Sequence, residues 1–296
     1  MSANSRSQLI TLCLAGGAAV GLSFYFSRRL HCPMPGKGYS TLKADEFTAF
    51  PIDSIQQVNH NTKIFRFRIS PSAPPLPITS FLLASLTDAN GKEITRPYTP
   101  INGDHSNGVV ELLVKHYPTG EFTPLLHALN PGDSVKLKGP ITKLQYTPNM
   151  KREIGMIAGG TGITPMLQLI RAILKNDAPV KDQTKISLLF ANVSEKDILL
   201  KKELDELAAA HPSQFQVHYT INKPETGNWA GRVGNVTEEM VSELMPKPSK
   251  DSLVVVCGPQ KMISLVSGSK GPNFTQGEVE GILKKKGFTT ENVFKM

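Results

Sequence analysis

The stretch Ile154 to Ala158 is apolar or small throughout and runs straight into Gly159-Gly160-Thr161-Gly162, after which Thr164 to Leu174 follows helical spacing. A strand apolar on both faces must be covered on both sides, and one that passes through a glycine turn into a helix belongs to a parallel sheet. The alternation continues with a strand at Ile186 to Ala191, a helix at Asp197 to Ala209 and a strand at Phe215 to Ile221. A helix at Thr237 to Leu244 and the all-apolar Leu253-Val254-Val255-Val256, ahead of Cys257, complete it. Residues 153–296 are therefore predicted to form an α/β domain around a parallel sheet.

Residues 45–148 follow a different rule. Ile64-Phe65-Arg66-Phe67-Arg68-Ile69 nearly alternates after a His60-Asn61 turn, and Val109 to Val114 and Val135 to Leu137 are equally strand-like. Asn130-Pro131-Gly132-Asp133 is a turn, and Ser70 to Pro77 is too rich in proline for an internal strand and reads as an exposed loop. Short strands broken by such signals predict a small antiparallel β-barrel. A polar link, Pro148 to Arg152, joins the halves.

The three cysteines, Cys13, Cys32 and Cys257, form no CxxC pair and have no histidine at ligand spacing, so neither a disulfide framework nor a metal site is expected. A formal net charge of +8 suits nucleic acid, anionic lipid or an acidic protein. No basic run interleaved with aromatics is present, which argues against nucleic acid. Leu9 to Phe26 is uncharged and apolar, long enough to cross a hydrocarbon core of about 30 Å as a helix. Arg6 precedes it, Arg28-Arg29 follow it, and Tyr25 and Phe26 fall where interfacial aromatics sit. With no small-x-small cleavage site between that stretch and the two arginines, residues 1–30 are predicted to be an N-terminal single-pass membrane anchor rather than a secretory signal.

Three segments carry chemistry. Arg96-Pro97-Tyr98-Thr99 places a cation and an aromatic two apart, on one face of a strand, with a hydroxyl next along. That is a partner for a phosphate and a surface for a planar ring. Val114-Lys115-His116-Tyr117 leads through Gly120 to Phe122-Thr123-Pro124, where Thr123 is placed to cap a helix and Pro124 suits its first position. The free N–H groups of such a helix start form an anion site. In the third segment, Gly159-Gly160-Thr161-Gly162-Ile163-Thr164-Pro165-Met166, Pro165 stands at the third glycine of GxGxxG, so the ordinary dinucleotide fingerprint does not apply. Cys257-Gly258-Pro259 then ends an apolar strand at the carboxyl edge, where open α/β sheets bind ligands.

In this order the segments resemble the ferredoxin-reductase-type flavoproteins and, among them, the NADH–cytochrome b5 reductase family, over essentially the whole chain. The resemblance implies an FAD-binding barrel followed by an NADH-binding α/β domain. It also implies an enzyme that takes hydride from NADH and passes single electrons to cytochrome b5, an acidic haem protein that a basic surface complements. The same chemistry with a semidehydroascorbate-type radical as acceptor is the alternative. A membrane-held adaptor without catalysis would go with broken cofactor motifs, whereas Arg96, Tyr98, Thr99, Gly160 and Gly162 are intact.

By position, the family's phosphate-binding arginine is Arg96, its flavin-facing tyrosine Tyr98 and the threonine near flavin N5 Thr99, with Pro97 between. Val114, Lys115, Tyr117, Gly120, Phe122 and Thr123 fall in the second cofactor segment, where the family usually has Met-Ser for Phe122-Thr123 and an N–H where Pro124 has none. Gly160, Thr161, Gly162, Thr164 and Pro165 fall in the loop between the two cofactors. Cys257, followed by Gly258, Pro259 and Met262, is placed beside the reacting carbon of nicotinamide in an orienting role. The family's usual aspartate for the adenosine ribose is replaced by Asn222, next to Lys223.

Val58 to Lys63, Gly139 to Lys143 and the tail from Thr275 to Met296 are similar to the fungal mitochondrial form rather than the microsomal one, with Met296 in place of a terminal phenylalanine. With the anchor, this implies the mitochondrial outer membrane, and a processed intermembrane-space form besides.

Overall fold

A computed structural model of the chain describes residues 40–103, 108–175, 180–225, 227–272 and 275–296. The expected anchor, Leu9 to Phe26, lies outside the described residues, and among those no helix is long and apolar enough to cross a membrane.

The first half contains β1 (Thr48–Asn59), β2 (Thr62–Arg68), β3 (Ser80–Thr87), β4 (Glu93–Tyr98), β5 (Val109–Lys115), the short helix α1 (Thr123–His127) and β6 (Ser134–Thr142). The strands form one sheet in the order β4-β3-β6-β1-β2-β5, every neighbouring pair antiparallel. Its two edges meet. Past the end of β4 the N–H of Ile101 donates to Glu111 O of β5 at 2.9 Å, and the Asn102 side chain bridges Val109 O and Glu111 N at 2.6 and 2.8 Å. The sheet thus rolls up as the expected antiparallel barrel. Phe65 and Phe67, two apart on β2, pack inward with Phe50, Leu82, Val110 and Leu137, the consequence of period-2 patterning in a sheet with one dry face.

The second half holds β7 (Glu153–Gly159), α2 (Ile163–Ile173), β8 (Lys185–Asn192), α3 (Lys201–Ala210), β9 (Phe215–Ile221), β10 (Arg232–Val233) and α4 (Glu238–Leu244). It continues with β11 (Ser252–Cys257), α5 (Gln260–Ser267), α6 (Gly281–Lys285) and β12 (Val293–Lys295). All six strands are parallel, in the order β10-β9-β8-β7-β11-β12. The unbroken apolar strands divide their residues between two cores. Met156, Ala158, Leu188, Phe190 and Val255 pack with Leu167 and Ile170 of α2 and Leu204 of α3, while Ile157, Leu189, Val254 and Val256 pack with Val241 of α4, Val266 of α5 and Leu283 of α6.

Two local expectations are corrected. The helix expected from Asp197 begins at Lys201. Glu195–Asp197 is instead a 3-10 turn and Leu200 adopts a left-handed conformation (φ 57°), because Asp197 is buried and its carboxylate is held by Lys115 of the barrel and by Ser194. Thr123 does not cap α1. It is the first helical residue, and its hydroxyl closes the preceding loop, accepting from Tyr117 N at 2.9 Å and donating to Tyr117 O at 3.3 Å.

Candidate active site

The carboxyl ends of β7 and β11 lie side by side, with Ala158 opposite Cys257 in the register, so the glycine loop and the Cys257-Gly258 turn leave the sheet together. They touch backbone to backbone. A Cβ on Gly162 would stand 2.2 Å from Cys257 O and 2.5 Å from its carbonyl carbon, so only glycine permits this approach. The loop then makes a 3-10 turn, Gly160–Gly162, and enters α2, with the Thr164 hydroxyl donating to Thr161 O at 3.1 Å.

Helix α2 also holds the barrel. Buried Gln168 donates from Nε2 to Pro100 O at 2.9 Å, and Arg171, paired with Glu203, donates from Nη1 to Ile101 O. These bonds fix the exit of β4 against the glycine loop, which is how Tyr98 and Thr99 come to face Thr161 and Gly162 across a cavity of about 430 Å³. Pro97, Thr164, Pro165, Cys257 and Gly258 also line it. Burial raises the Tyr98 phenol well above its ordinary range, keeping it protonated. Burial likewise pushes the Cys257 thiol up to about 11, against the opposing pull of the nearby Lys270. At neutral pH Cys257 is a thiol, not a thiolate nucleophile.

A second cavity of about 370 Å³ lies on the other side of the glycine loop. It brings Lys115 and Tyr117 of the barrel together with Gly160, Asn222, Pro259 and Met262. Asn222 follows β9 directly and its N–H donates to Asn192 O at 3.2 Å. Lys115 extends from β5 into the α/β half, where Nζ meets Asp197 at 2.6 Å.

Five of the expected site residues line neither cavity. Val114 is fully buried inside the barrel, Phe122 is buried with its ring 5.6 Å from that of Tyr98, and Gly120 and Thr123 close the loop through Tyr117. Arg96 is exposed and engaged, with Nη2 on Glu121 Oε2 at 2.8 Å and Nη1 on Thr95 O at 2.9 Å. Residues that the sequence did not assign to the site also line the cavities. Lys143, Lys270 and Met296 line the first, and Asn192, Val193 and Lys261 the second. Asn192 had a signal available, a polar residue ending the apolar run Leu188-Leu189-Phe190-Ala191 at a carboxyl edge.

The dimensions and donors fit a flavin and a nicotinamide dinucleotide. Both cavities fall in the range of small-ligand sites. The glycine loop allows close backbone approach, and Asn192 presents a buried amide with neither atom bonded among the described residues.

Comparison with known proteins agrees. The chain matches the oxidoreductase FAD-binding domain over residues 49–146 and the oxidoreductase NAD-binding domain over residues 156–268. It is 47% identical over 262 residues to an NADH-cytochrome b5 reductase-like protein of Arabidopsis thaliana, covering 86% of this chain and 78% of that one. It is 40% identical over 281 residues to NADH-cytochrome b5 reductase 2 of Yarrowia lipolytica, covering 94% and 95%. Among solved structures, the cytochrome b5 reductase domain of Ulva prolifera nitrate reductase superposes with a TM-score of 0.74 at 30% identity, over 87% of this chain and all of that one. The chain is an FAD- and NADH-binding flavoprotein oxidoreductase and belongs to the NADH–cytochrome b5 reductase family.

Proposed function

We propose that the chain takes hydride from NADH and passes electrons singly to cytochrome b5, with the first cavity receiving the flavin ring and the nicotinamide and the second receiving the rest of the dinucleotide. The observation that carries this reading is that Thr99 from the barrel and Cys257 from the sheet edge line one cavity. Bound FAD supplies a two-electron acceptor that gives electrons up one at a time. The protein supplies position. Arg96 holds the cofactor phosphates, Tyr98 offers its ring to the flavin, and Thr99 presents a hydroxyl to the flavin edge. The neutral thiol of Cys257 orients nicotinamide without charge. Hydride transfer needs no side-chain base, and a high thiol pKa matches that requirement.

Anaerobic absorbance tests the reading. NADH should bleach the flavin spectrum of the purified protein, and oxidised cytochrome b5 should restore it at a rate matching haem reduction. No bleaching would remove the whole reading, whereas bleaching without haem reduction, with semidehydroascorbate reduced instead, would replace the acceptor.

Arg96→Ala is expected to weaken FAD binding by roughly ten- to hundredfold, the equivalent of one charge-assisted contact of about 1.5–3 kcal/mol. The effect reads as flavin per protein after purification. An unchanged ratio would place the phosphates elsewhere, since the present partner of Arg96, Glu121, is a half-exposed surface pair of small energetic weight.

Asn222 is the residue for the adenosine ribose 2′-hydroxyl in this placement. A carboxylate there would repel a 2′-phosphate, so Asn222→Asp should raise the kcat/KM ratio of NADH over NADPH about tenfold, for a contact of about 1.4 kcal/mol. A ratio that does not move would mean that Asn222 faces away from the ribose.

Leu9 to Phe26 anchors the protein in the mitochondrial outer membrane, with a processed form in the intermembrane space. The length and flanking arginines of that segment support this, and the cores of both halves draw their buried residues from Phe50 onward. Deleting Met1 to Arg29 should therefore give a soluble protein that retains FAD. A truncated protein without flavin would refute the boundary, and full-length protein recovered with microsomes would refute the location.

A further inference from the structure

Asn192 is the last residue of β8 and forms part of the wall of the second cavity, between the glycine loop and Asn222. Its backbone is fixed on both sides. Ala191 stands opposite Gly159 of β7, Asn192 stands opposite Ile221 of β9, and its carbonyl accepts the Asn222 N–H at 3.2 Å. The residue is 8% exposed, yet among the described residues neither Oδ1 nor Nδ2 finds a hydrogen-bond partner. Among the described residues it alone combines buried, unpartnered polar atoms with a place in either cavity of the site. A buried amide left unmade costs free energy that a leucine at the same place would not. That cost marks a group kept for a ligand.

The chemistry of the amide narrows the ligand. It offers a donor and an acceptor side by side. A phosphate accepts only, so it would satisfy Nδ2 while setting its negative charge against Oδ1, and Lys261 already supplies a cation on this wall. A ribose hydroxyl both donates and accepts, so a single hydroxyl can donate to Oδ1 and accept from Nδ2 at once. We infer that Asn192 binds the adenosine ribose of the dinucleotide, taking the 3′-hydroxyl beside the 2′-hydroxyl held by Asn222. This rests on the proposed placement of NADH in the second cavity.

The test uses FAD-loaded, full-length protein and calorimetric titration with two probes, NAD⁺ and its analogue lacking the adenosine 3′-hydroxyl. The parent should bind NAD⁺ at least tenfold more tightly than the 3′-deoxy analogue. Asn192→Leu should keep its flavin and melt no lower than the parent without nucleotide, because an unsatisfied amide has become an apolar group of similar size. It should bind both probes equally, with the tenfold preference gone. Asn192→Ala, which cannot overpack, should lose the preference in the same way if the leucine variant fails to fold. A variant that holds flavin and retains the parent's preference for NAD⁺ would overturn the inference alone. A parent that distinguishes neither probe would also overturn it, and a parent that binds neither would overturn the placement of NADH with it.

Discussion

Gly162→Ala is expected to cost about a hundredfold in the rate of flavin reduction by NADH and about 1–3 kcal/mol of stability. The added Cβ would lie 2.2 Å from Cys257 O, 2.5 Å from the carbonyl carbon and 2.8 Å from Gly258 N. All three are backbone atoms at the carboxyl edge of paired strands, so no rotamer change relieves the overlap. The glycine loop and the Cys257 turn must separate by about 1 Å to reach ordinary contact, a displacement of the size that disrupts reactive alignment. Since Thr161 and Gly162 face Thr99 and Cys257 in one cavity, the change falls on both sides of the proposed hydride path. Stopped-flow reduction and a thermal melt measure the two effects. A variant as fast as the parent would show that the loop yields without consequence and that the close approach has no part in positioning.

Asp197→Ala carries the larger cost in stability, about 3–5 kcal/mol, the range for breaking one partner out of a buried ion pair. Lys115 Nζ lies 2.6 Å from Asp197 Oδ1, with side chains 12% and 8% exposed, and Ser194 Oγ donates to Oδ2 at 2.9 Å. The pair joins β5 of the barrel to the turn before α3, so the variant should lose stability and let the halves move at the second cavity. Burial by itself would raise the Asp197 carboxyl, but the bonds from Lys115 and Ser194 outweigh it and hold the group below its ordinary value. A carboxyl lowered in the folded state stabilises fully above the unfolded value of about 3.9, and that contribution fades as pH falls through the folded value. Denaturant titrations should therefore find a wide gap between parent and variant at pH 7 that narrows below about pH 4. A gap that is constant with pH would mean that lost packing, not lost charge, accounts for the variant.

The local errors of sequence reading have physical causes. Asp197 opens an acidic, amphipathic run that is helical by pattern, but a buried carboxylate is worth more paired with Lys115 than turned to solvent in a first helical turn. Thr123 precedes a proline at the start of a helix and fits the capping rule, yet its hydroxyl finds two backbone partners on Tyr117 within the same loop. In each case a competing contact, across the fold for Asp197 and within the loop for Thr123, outbid a helical preference.

Patterns that act over a few residues were legible from the chain alone. The period-2 strands around Phe65 and Phe67, the unbroken apolar strands at Ile154 and Leu253 and the glycine turn after β7 are all short-range constraints of backbone geometry and solvation. They suffice for a barrel followed by a parallel α/β domain, and the motifs they carry imply the cofactors through their resemblance to a known family. Which strand ends meet is another matter. That β11 pairs with β7, bringing Cys257 to Gly162, depends on strand order set by crossovers and by the burial of two helix layers, information spread over the whole domain. Gln168 on Pro100, Lys115 on Asp197, Arg96 on Glu121 and the unpartnered amide of Asn192 are likewise settled by which surfaces remain once both cores are packed. Side-chain partners across such distances follow from packing, because each bond is worth little until the fold has already brought its ends together.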